Sequence, residues 1–352
     1  MGGLARLIYL LILVLGISQL GEAQTTWVSR TSASNSVSWY GVTRGPNLFV
    51  AVGDPGGVMT SPDGVNWTLR TAASSSGWWS VTYGNGAYVA VAFSGTNRVM
   101  SSPDGINWTA RSTPAGAASN RWFGVTYGSG LFVAVGDSGT GNRVMTSPDG
   151  VTWTSRASAA DNGWYGVTYA NGLFVAVATS GSGNRVMTSP DGITWTIRTS
   201  AADRVWYSVT YGNGLFVAVG DSGGVMTSPD GIVWTSRTAA TGNEWQSVAY
   251  GNGVFAAVSD DGIGNRVMTS PDGINWTSQA SAADNAWYWV TYGAGMFVAV
   301  SSSGSGNRVM TSGNFIPPVP LPTSLWLTVL GLAFLAMFML RAHNADHKSG
   351  LR

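Results

Sequence analysis

The sequence predicts an all-β fold, a seven-bladed β-propeller, because a unit of about 42 residues recurs through the chain. One half of the unit reads WTxR, and its tryptophan occurs seven times, at Trp27, Trp67, Trp108, Trp153, Trp195, Trp234 and Trp276. The other half reads WYGVTYANGLFVAV in one copy, and its copies begin at Trp39, Trp78, Trp122, Trp164, Trp206, Trp245 and Trp287. A unit of this length holds four short strands, which is the size of one propeller blade.

Each unit divides into four strands, which we name A to D in chain order. Strand A, WYGVTY, alternates and is rich in β-branched and aromatic residues, and the GNG that follows it suits a turn with positive φ. Strand B, LFVAV, is apolar throughout, which is typical of a strand buried on both faces. A loop rich in Gly, Ser and Asp leads to strand C, NRVMTS, and SPDG turns the chain into strand D, WTSR.

The two ends of the repeat array predict how the ring closes. The array begins with a lone strand D at residues 25–32 and ends with strands A, B and C at residues 287–314. Each end supplies what the other lacks, so we expect residues 25–32 to pair with Val309–Ser312 and leave no free edge. An open solenoid would need polar capping repeats, which the sequence does not contain.

The segments that flank the repeats predict export. An apolar run at residues 7–17 follows Arg6 and leads to Gly21 and Ala23, which predicts a signal peptide over residues 1–23 rather than an N-terminal anchor. The mature propeller then spans residues 24–315 and lies outside the cytoplasm. The charge-free run at residues 324–340 predicts a C-terminal transmembrane helix, and residues 341–352 form a short basic tail placed in the cytoplasm.

A Pro-rich linker at residues 316–323 stands between the repeats and the apolar run, and VPLPTS overlaps its end. This motif, with the apolar run and the basic end, resembles the VPLPA-type variant of the PEP-CTERM class of bacterial sorting signals. The resemblance covers about thirty residues and implies an exosortase-type sorting protease as a partner. It also implies that the protein is anchored at the cell surface or released there. An ordinary single-span anchor is the alternative.

The SPDG box is predicted to be a turn rather than an active site. Its Pro presets φ, its Asp bonds the local backbone, and its Gly accepts the left-handed conformation. The box resembles the Asp-box, or BNR, repeat of sialidase-type propellers, although it is one residue shorter between Asp and Trp. In that family the box is a structural hairpin remote from the active site. The resemblance therefore implies a structural role for Asp63, Asp104, Asp149, Asp191, Asp230 and Asp272.

The composition narrows the chemistry that the repeats can carry. The chain has no Cys, and its two His and its single Lys lie in the tail, which excludes imidazole-based catalysis and Cys/His zinc sites from the propeller. The Asp-Gly loops mostly hold one carboxylate each and lack the spacing of a calcium loop, so no metal or other cofactor is expected. Residues 24–318 carry 15 acidic residues against 14 Arg, which argues against nucleic acid as a partner.

The resemblance also raises a sialidase-like glycoside hydrolase as the alternative function. That family uses three Arg, a Tyr–Glu pair and an Asp, all from non-repeated positions. Here only Arg44, Arg121 and Arg204 depart from the repeat, and the family's R-I-P segment is absent. We therefore expect no enzymatic activity. A pair of carboxylates facing one pocket would instead support the hydrolase.

The predicted topology separates the two rims of the propeller. The A–B and C–D turns share one rim, here the box rim, and the B–C loops and D–A connections share the other, here the variable rim. The variable rim differs from blade to blade, and function usually resides on such loops. Aromatic pairs such as Trp206–Tyr207 begin strand A there and suit either sugar stacking or packing between blades. The candidate ligand-binding residues are Arg121, Tyr165, Asp203, Arg204, Tyr207, Glu244 and Gln246.

These observations predict a bacterial protein, secreted or anchored at the cell surface, that acts as a non-catalytic binding or matrix module. Its expected ligand is a polysaccharide or a protein of the cell envelope. A further alternative is an extracytoplasmic assembly factor that resembles photosystem-assembly propellers, which share the fold.

Overall fold

The computed structural model describes residues 26–313, which form 28 strands in seven four-stranded antiparallel sheets. The all-β, seven-bladed propeller predicted from the repeats is confirmed. The predicted signal peptide, linker, transmembrane helix and basic tail lie outside the described residues. No helix within residues 26–313 is long and apolar enough to cross a membrane.

The first six blades each contain strands A to D in chain order. Blade 1 consists of β2 (Ser38–Arg44), β3 (Phe49–Asp54), β4 (Gly57–Ser61) and β5 (Thr68–Thr71); blade 2 of β6 (Trp78–Gly84), β7 (Ala87–Ala92), β8 (Val99–Ser102) and β9 (Thr109–Arg111). Blade 3 consists of β10 (Trp122–Gly128), β11 (Leu131–Gly136), β12 (Val144–Ser147) and β13 (Thr154–Arg156); blade 4 of β14 (Trp164–Ala170), β15 (Leu173–Ala178), β16 (Val186–Ser189) and β17 (Thr196–Arg198). Blade 5 consists of β18 (Trp206–Gly212), β19 (Leu215–Gly220), β20 (Gly224–Ser228) and β21 (Thr235–Thr238); blade 6 of β22 (Trp245–Gly251), β23 (Val254–Ser259), β24 (Val267–Ser270) and β25 (Thr277–Gln279).

Blade 7 closes the ring by joining the two ends of the array. It contains β26 (Trp287–Gly293), β27 (Met296–Ser301) and β28 (Val309–Ser312), and its strand D is β1 (Trp27–Arg30). Strands β1 and β28 pair antiparallel, and the Gly313 amide donates to the Thr26 carbonyl oxygen at 2.7 Å. The closure predicted from the incomplete repeats at the two ends of the array is confirmed. Both ends of the described chain therefore lie at the box rim.

The core lies between neighbouring blades. Strand B is buried along its length, with only its first residue partly exposed in blades 3 to 5, as its uninterrupted apolar sequence predicts. The tryptophan that begins strand A is fully buried in all seven blades and packs against the strand B valines of the preceding blade, as Trp206 does against Val175 and Val177. Strand D is largely exposed. Hydrophobic burial therefore stabilises the ring mainly through contacts between adjacent sheets.

A β-bulge lies at the start of strand A in every blade, directly after this tryptophan. In blade 5 the register passes from Trp206 opposite Gly220 to Ser208 opposite Val219, so Tyr207 has no partner on strand B. The other six blades show the same shift. A bulge re-aims a side chain relative to the pleat. It thereby separates the two members of each aromatic pair, with the tryptophan between the blades and the next residue near the axis.

The SPDG segment forms a turn closed by its own aspartate, as predicted. In blade 4 the Asp191 Oδ1 atom accepts hydrogen bonds from the Ile193 amide, the Thr194 amide and the Ser189 hydroxyl at 2.8–2.9 Å. Gly192 has φ of +72°, a conformation that favours glycine. The indole of Trp195 donates to the Gly192 carbonyl oxygen at 3.1 Å and covers the turn. Comparable contacts surround Asp63, Asp104, Asp149, Asp230 and Asp272.

Candidate binding site at the channel mouth

The seven bulged residues form a ring at the variable rim, which we name the collar. Its members are Tyr40, Trp79, Phe123, Tyr165, Tyr207, Gln246 and Tyr288. Six are aromatic, and adjacent blades bring some rings into stacking, with centroids 4.4 Å apart for Tyr40 and Trp79 and 4.7 Å for Phe123 and Tyr165. Because all seven come from strand A, the innermost strand, the collar narrows the mouth of the central channel.

The half of the collar contributed by blades 1 to 3 is aromatic throughout, and its nearest charges, Arg121 and Asp137, neutralise each other in an ion pair. Trp79 reaches across the axis, since its ring lies 5.6 Å from that of Tyr165 and 5.7 Å from that of Tyr288, two residues of non-adjacent blades. Phe93 packs edge-on against the same tryptophan at 5.5 Å. Trp79 is 9% exposed, and its Nε1 atom is buried without a hydrogen-bond acceptor.

The opposite half, contributed by blades 5 to 7, is polar and acidic. Gln246 replaces the aromatic residue in blade 6, is 5% exposed, and hydrogen-bonds both Tyr207 and Asp260. The Tyr288 hydroxyl donates to the Asp260 carboxylate. Burial raises the pKa of Asp260, and burial followed by repulsion from Asp260 raises the pKa of Glu244. Burial and the nearby Glu244 raise the pKa of Tyr207 to about 12. The carboxylates of Glu244 and Asp260 repel one another, and that of Asp260 accepts from the neutral donors Gln246 and Tyr288.

Four of the seven predicted ligand-binding residues meet at this mouth. Tyr165, Tyr207 and Gln246 belong to the collar, and Glu244 lies exposed at its edge, where the pKa of its carboxyl responds to Asp260. The two members of each aromatic pair are separated, because the first residue packs between blades, as one of the two predictions stated, and the second lies at the channel mouth.

The other three predicted residues are held by contacts within the chain, and the Arg121 guanidinium also lies 6.0 Å from the ring of the collar residue Phe123. Arg121 forms a two-point ion pair with Asp137, with Nη2–Oδ2 at 2.7 Å and Nε–Oδ1 at 2.9 Å. Arg204 donates from Nη1 to the Ser222 carbonyl oxygen at 2.9 Å. Asp203 accepts from the Gly183 amide, a contact that Asp161, Asp284 and Asn35 repeat in other blades. Asp203 is therefore part of the repeated scaffold rather than an irregular residue.

Sequence reasoning did not select Asp260, Tyr288 or Trp79. Asp260 follows strand B, and the same repeat position holds Asp54, Phe93, Asp137, Thr179, Asp221 and Ser302 in the other blades. Aligning the repeats would have found this second variable circle. No sequence signal, however, reveals that a bulge follows each strand A tryptophan. The bulge places the next residue beside the residue that follows strand B.

One feature of the site favours the hydrolase alternative and another argues against it. Glu244 and Asp260 are carboxylates near one mouth, and Tyr288 bonds one of them, which is a pattern that the alternative requires. The three non-repeated arginines do not converge, because Arg44 lies on the box rim, where its Nη1 donates to the Pro62 carbonyl oxygen at 3.2 Å. Within residues 26–313, no group of three or more His, Cys, Asp or Glu is arranged to hold a metal ion.

Comparisons with known proteins identify the fold. No family model and no curated protein matches the sequence. Among solved structures, the chain is similar to YCF48 from Cyanidioschyzon merolae, with 16% identity and a TM-score of 0.62 over 83% of this chain and 98% of that one. A structure of YCF48 bound to D1 peptide gives 14% identity and a TM-score of 0.63 over 83% and 95%.

A third similar structure is the extracellular domain of a hybrid two-component system from B. thetaiotaomicron. It shares 8% identity and a TM-score of 0.61 over 83% of this chain and 43% of that one. At these identities the similarity establishes the propeller fold alone.

Proposed function

We propose that this protein is an exported, non-catalytic binding module whose variable rim recognises a segment of another protein at the cell envelope. The observation that carries the proposal is the polarised collar, in which an aromatic half faces a half that holds Gln246, Asp260 and Glu244. Such a surface offers both burial and directional polar contacts, which is how proteins bind peptides selectively.

Two further points support a protein ligand over a polysaccharide. One structural neighbour is a propeller bound to a peptide, which makes peptide binding a tested use of this architecture. In addition, the collar rings largely pack edge-on or against each other, as Trp79 does with Tyr40 and Tyr288, so few open ring faces remain for a sugar. The alternative ligand for the same binding module is a polysaccharide.

Export and anchoring belong to the same proposal and rest on the sequence of the two flanks. The described chain enters and leaves the propeller at the box rim, at Thr26 and Gly313. We propose a surface protein that is anchored or released after C-terminal processing.

Site-specific photo-crosslinking in the full-length protein tests the ligand class and the rim together. A photoreactive phenylalanine replaces Tyr207 in the collar, and a matched variant carries it at Ile193, which is exposed on the box rim. We expect crosslinks to a protein from position 207 and none to that protein from position 193. Crosslinks from position 193 alone would show that the box rim, rather than the variable rim, binds the partner. Polysaccharide adducts at position 207 would show that the ligand is a polysaccharide rather than a protein.

A glycoside hydrolase is the second candidate, because Glu244 and Asp260 approach one another beside Tyr288. Full-length protein is assayed against sialosides and other fluorogenic glycosides, with Asp260→Asn as the control. We expect no turnover above that of the variant. Turnover that Asp260→Asn abolishes would instead establish the hydrolase.

The sorting motif is tested by mass spectrometry of the C-terminal peptide of the surface protein. If a sorting protease reads VPLP, replacement of Pro320 and Pro322 by Ala blocks processing and leaves Arg352 in place. A simple anchor would retain Arg352 in both proteins. The propeller fold does not depend on either outcome, since its last strand ends at Ser312.

A further inference from the structure

Blades 3 and 6 carry charged residues at the same two positions of the repeat. The first position precedes the strand A tryptophan and holds Arg121 in blade 3 and Glu244 in blade 6. The second follows strand B and holds Asp137 in blade 3 and Asp260 in blade 6. The register makes these positions equivalent, because Trp122 pairs with Gly136 as Trp245 pairs with Ser259.

The backbone around these positions is the same in the two blades. The amide of Arg121 donates to the Ser138 hydroxyl at 2.7 Å, and the amide of Glu244 donates to Asp261 Oδ1 at the same distance. The two blades therefore differ in the side chain that faces the aspartate. In blade 3 that side chain is a guanidinium, which binds Asp137 through two hydrogen bonds.

In blade 6 the guanidinium is replaced by the carboxylate of Glu244, and no other cation of the described chain takes its place. Arg266 reaches Asp260 only through the backbone, with its Nη1 2.5 Å from the Asp260 carbonyl oxygen. Arg143 makes the same contact to Asp137 at 2.9 Å, so this arginine is common to both blades and does not compensate. The Oδ1 atom of Asp260 is buried and accepts no hydrogen bond.

A second unpartnered polar group lies in the same collar. Trp79 is more than nine-tenths buried, and its Nε1 atom has no acceptor. Its ring lies 5.7 Å from that of Tyr288, whose hydroxyl donates to Asp260. Trp79 and Asp260, each with a buried polar atom that has no partner, are therefore both neighbours of Tyr288. Buried polar groups in folded proteins are normally paired, so this arrangement points to a ligand that supplies both partners.

We propose that Glu244 and Asp260 bind the guanidinium of an arginine side chain from the partner protein, which takes the place that Arg121 occupies in blade 3. A planar guanidinium can bond Asp260 with one edge and Glu244 with another, and the neighbouring phenol rings favour a cation. A backbone carbonyl of the same segment can accept from Trp79. This inference rests on the proposed function, since it assumes a protein ligand at the variable rim.

Calorimetric titration of the full-length protein with n-butylguanidinium chloride tests the inference, with n-butanol as the uncharged control. We expect saturable binding of the guanidinium alone. Asp260→Asn should weaken it by about ten-fold or more, because a charge-assisted pair is lost. The matched control is Asp137→Asn, which removes the equivalent carboxylate from blade 3, where Arg121 already occupies it, and should leave the affinity unchanged.

A second variant keeps the inference testable if Asp260→Asn fails to fold. Glu244→Arg rebuilds in blade 6 the pair that blade 3 contains, so the folded variant should no longer bind butylguanidinium. Absence of saturable binding to the wild type overturns the inference, as does equal affinity in Asp260→Asn and wild type. Displacement of the probe by low concentrations of Ca²⁺ would overturn it in favour of a metal site.

The outcomes separate this inference from the proposed function. Protein crosslinks from position 207 without guanidinium binding would leave the binding module intact and remove the arginine. Guanidinium binding without any protein crosslink from position 207 would retain the cation site and remove the proposed protein ligand.

Discussion

The aspartates of the box rim and Asp260, which lies beside the collar, are the same residue type in opposite surroundings. Asp191 accepts two backbone hydrogen bonds and one hydrogen bond from the Ser189 hydroxyl. The bond from the Thr194 amide is the main cause that lowers the pKa of the Asp191 carboxyl. Asp260 is partly buried, and burial raises the pKa of its carboxyl. The fold therefore stabilises the charged form of Asp191 and disfavours the charged form of Asp260.

In a repeat protein, contacts that recur in most blades and contacts that occur once have different roles. The box geometry recurs in six blades, so the interactions of each copy are complete within the hairpin that contains it. The blade 6 pair, Glu244 and Asp260, occurs once and lacks the partner that its blade 3 equivalent has. Completed, repeated contacts stabilise structure, whereas an incomplete and unique set is where we propose that a partner binds.

The largest expected effect comes from removing the scaffold that both rims share. Deletion of residues 25–32 removes β1 from blade 7 and exposes β28 as a free edge. We expect loss of the cooperative thermal transition, or aggregation, because an unpaired edge strand promotes association. Thermal denaturation and size-exclusion chromatography measure this. An unchanged melting temperature would show that the two rims do not depend on ring closure.

Two adjacent residues of blade 5 separate packing from binding. Trp206 is fully buried between blades, so Trp206→Ala should lower the free energy of unfolding by about 3–5 kcal/mol. Tyr207→Ala should cost less, because the bulge places that side chain, half exposed, in the collar. Chemical denaturation compares the two variants. Equal losses of stability would mean that the collar is an extension of the core.

A box substitution should have a moderate effect on stability and none on binding. Asp191→Ala removes the acceptor of the turn and should lower the free energy of unfolding by about 1 kcal/mol at neutral pH. Because the folded-state pKa is lowered, the carboxylate stabilises the protein above its unfolded pKa of about 3.9, and this contribution disappears as pH falls through the folded value. The difference between variant and wild type should therefore shrink below about pH 4. Loss of ligand binding in a folded Asp191→Ala protein would contradict the structural role of the box.

The smallest effect on stability, and of opposite sign, is expected in the collar. Asp260→Asn removes a charge whose folded-state pKa is raised, so it should leave the melting temperature unchanged or raise it. For a raised pKa, the stability of the wild type falls as pH rises through the folded value, so any gain of the variant is largest above that value and vanishes in acid. Melting temperatures from acidic to neutral pH measure this. A clear loss of stability at neutral pH would show that the carboxylate is needed by the fold.

Much of the fold was predictable from the sequence because the repeat restates it seven times. The strand B pattern LFVAV, the GNG turn and the SPDG turn each reflect local physics, namely burial on both faces and the φ that glycine permits. At Asn213 and Gly214, for example, both φ values are positive, at 48° and 78°, as a tight hairpin requires. Closure was predictable because strand D at one end of the array fits the gap at the other.

The candidate site was predictable only in part. Tyr207, Glu244 and Gln246 stood out because they lie on the variable rim, and in blade 6 because they break the repeat. Asp203 seemed equally irregular, yet its contact to the Gly183 amide is one that other blades share. Spacing along the chain does not distinguish a loop residue that bonds its neighbour from one that faces the axis.

The number of blades, the order of strands and the rim on which variation is concentrated can all be read from the sequence, because they follow from local patterns and chain connectivity. Which variable residues meet depends on the three-dimensional packing of the blades. A β-bulge after each strand A tryptophan and the curvature of the ring bring Trp79, Tyr288 and Asp260 together from three blades. The contact between Trp79 and Tyr288 joins blades 2 and 7, which are more than 200 residues apart in the chain. It arises from the curvature of the closed ring, which no pattern within one repeat encodes.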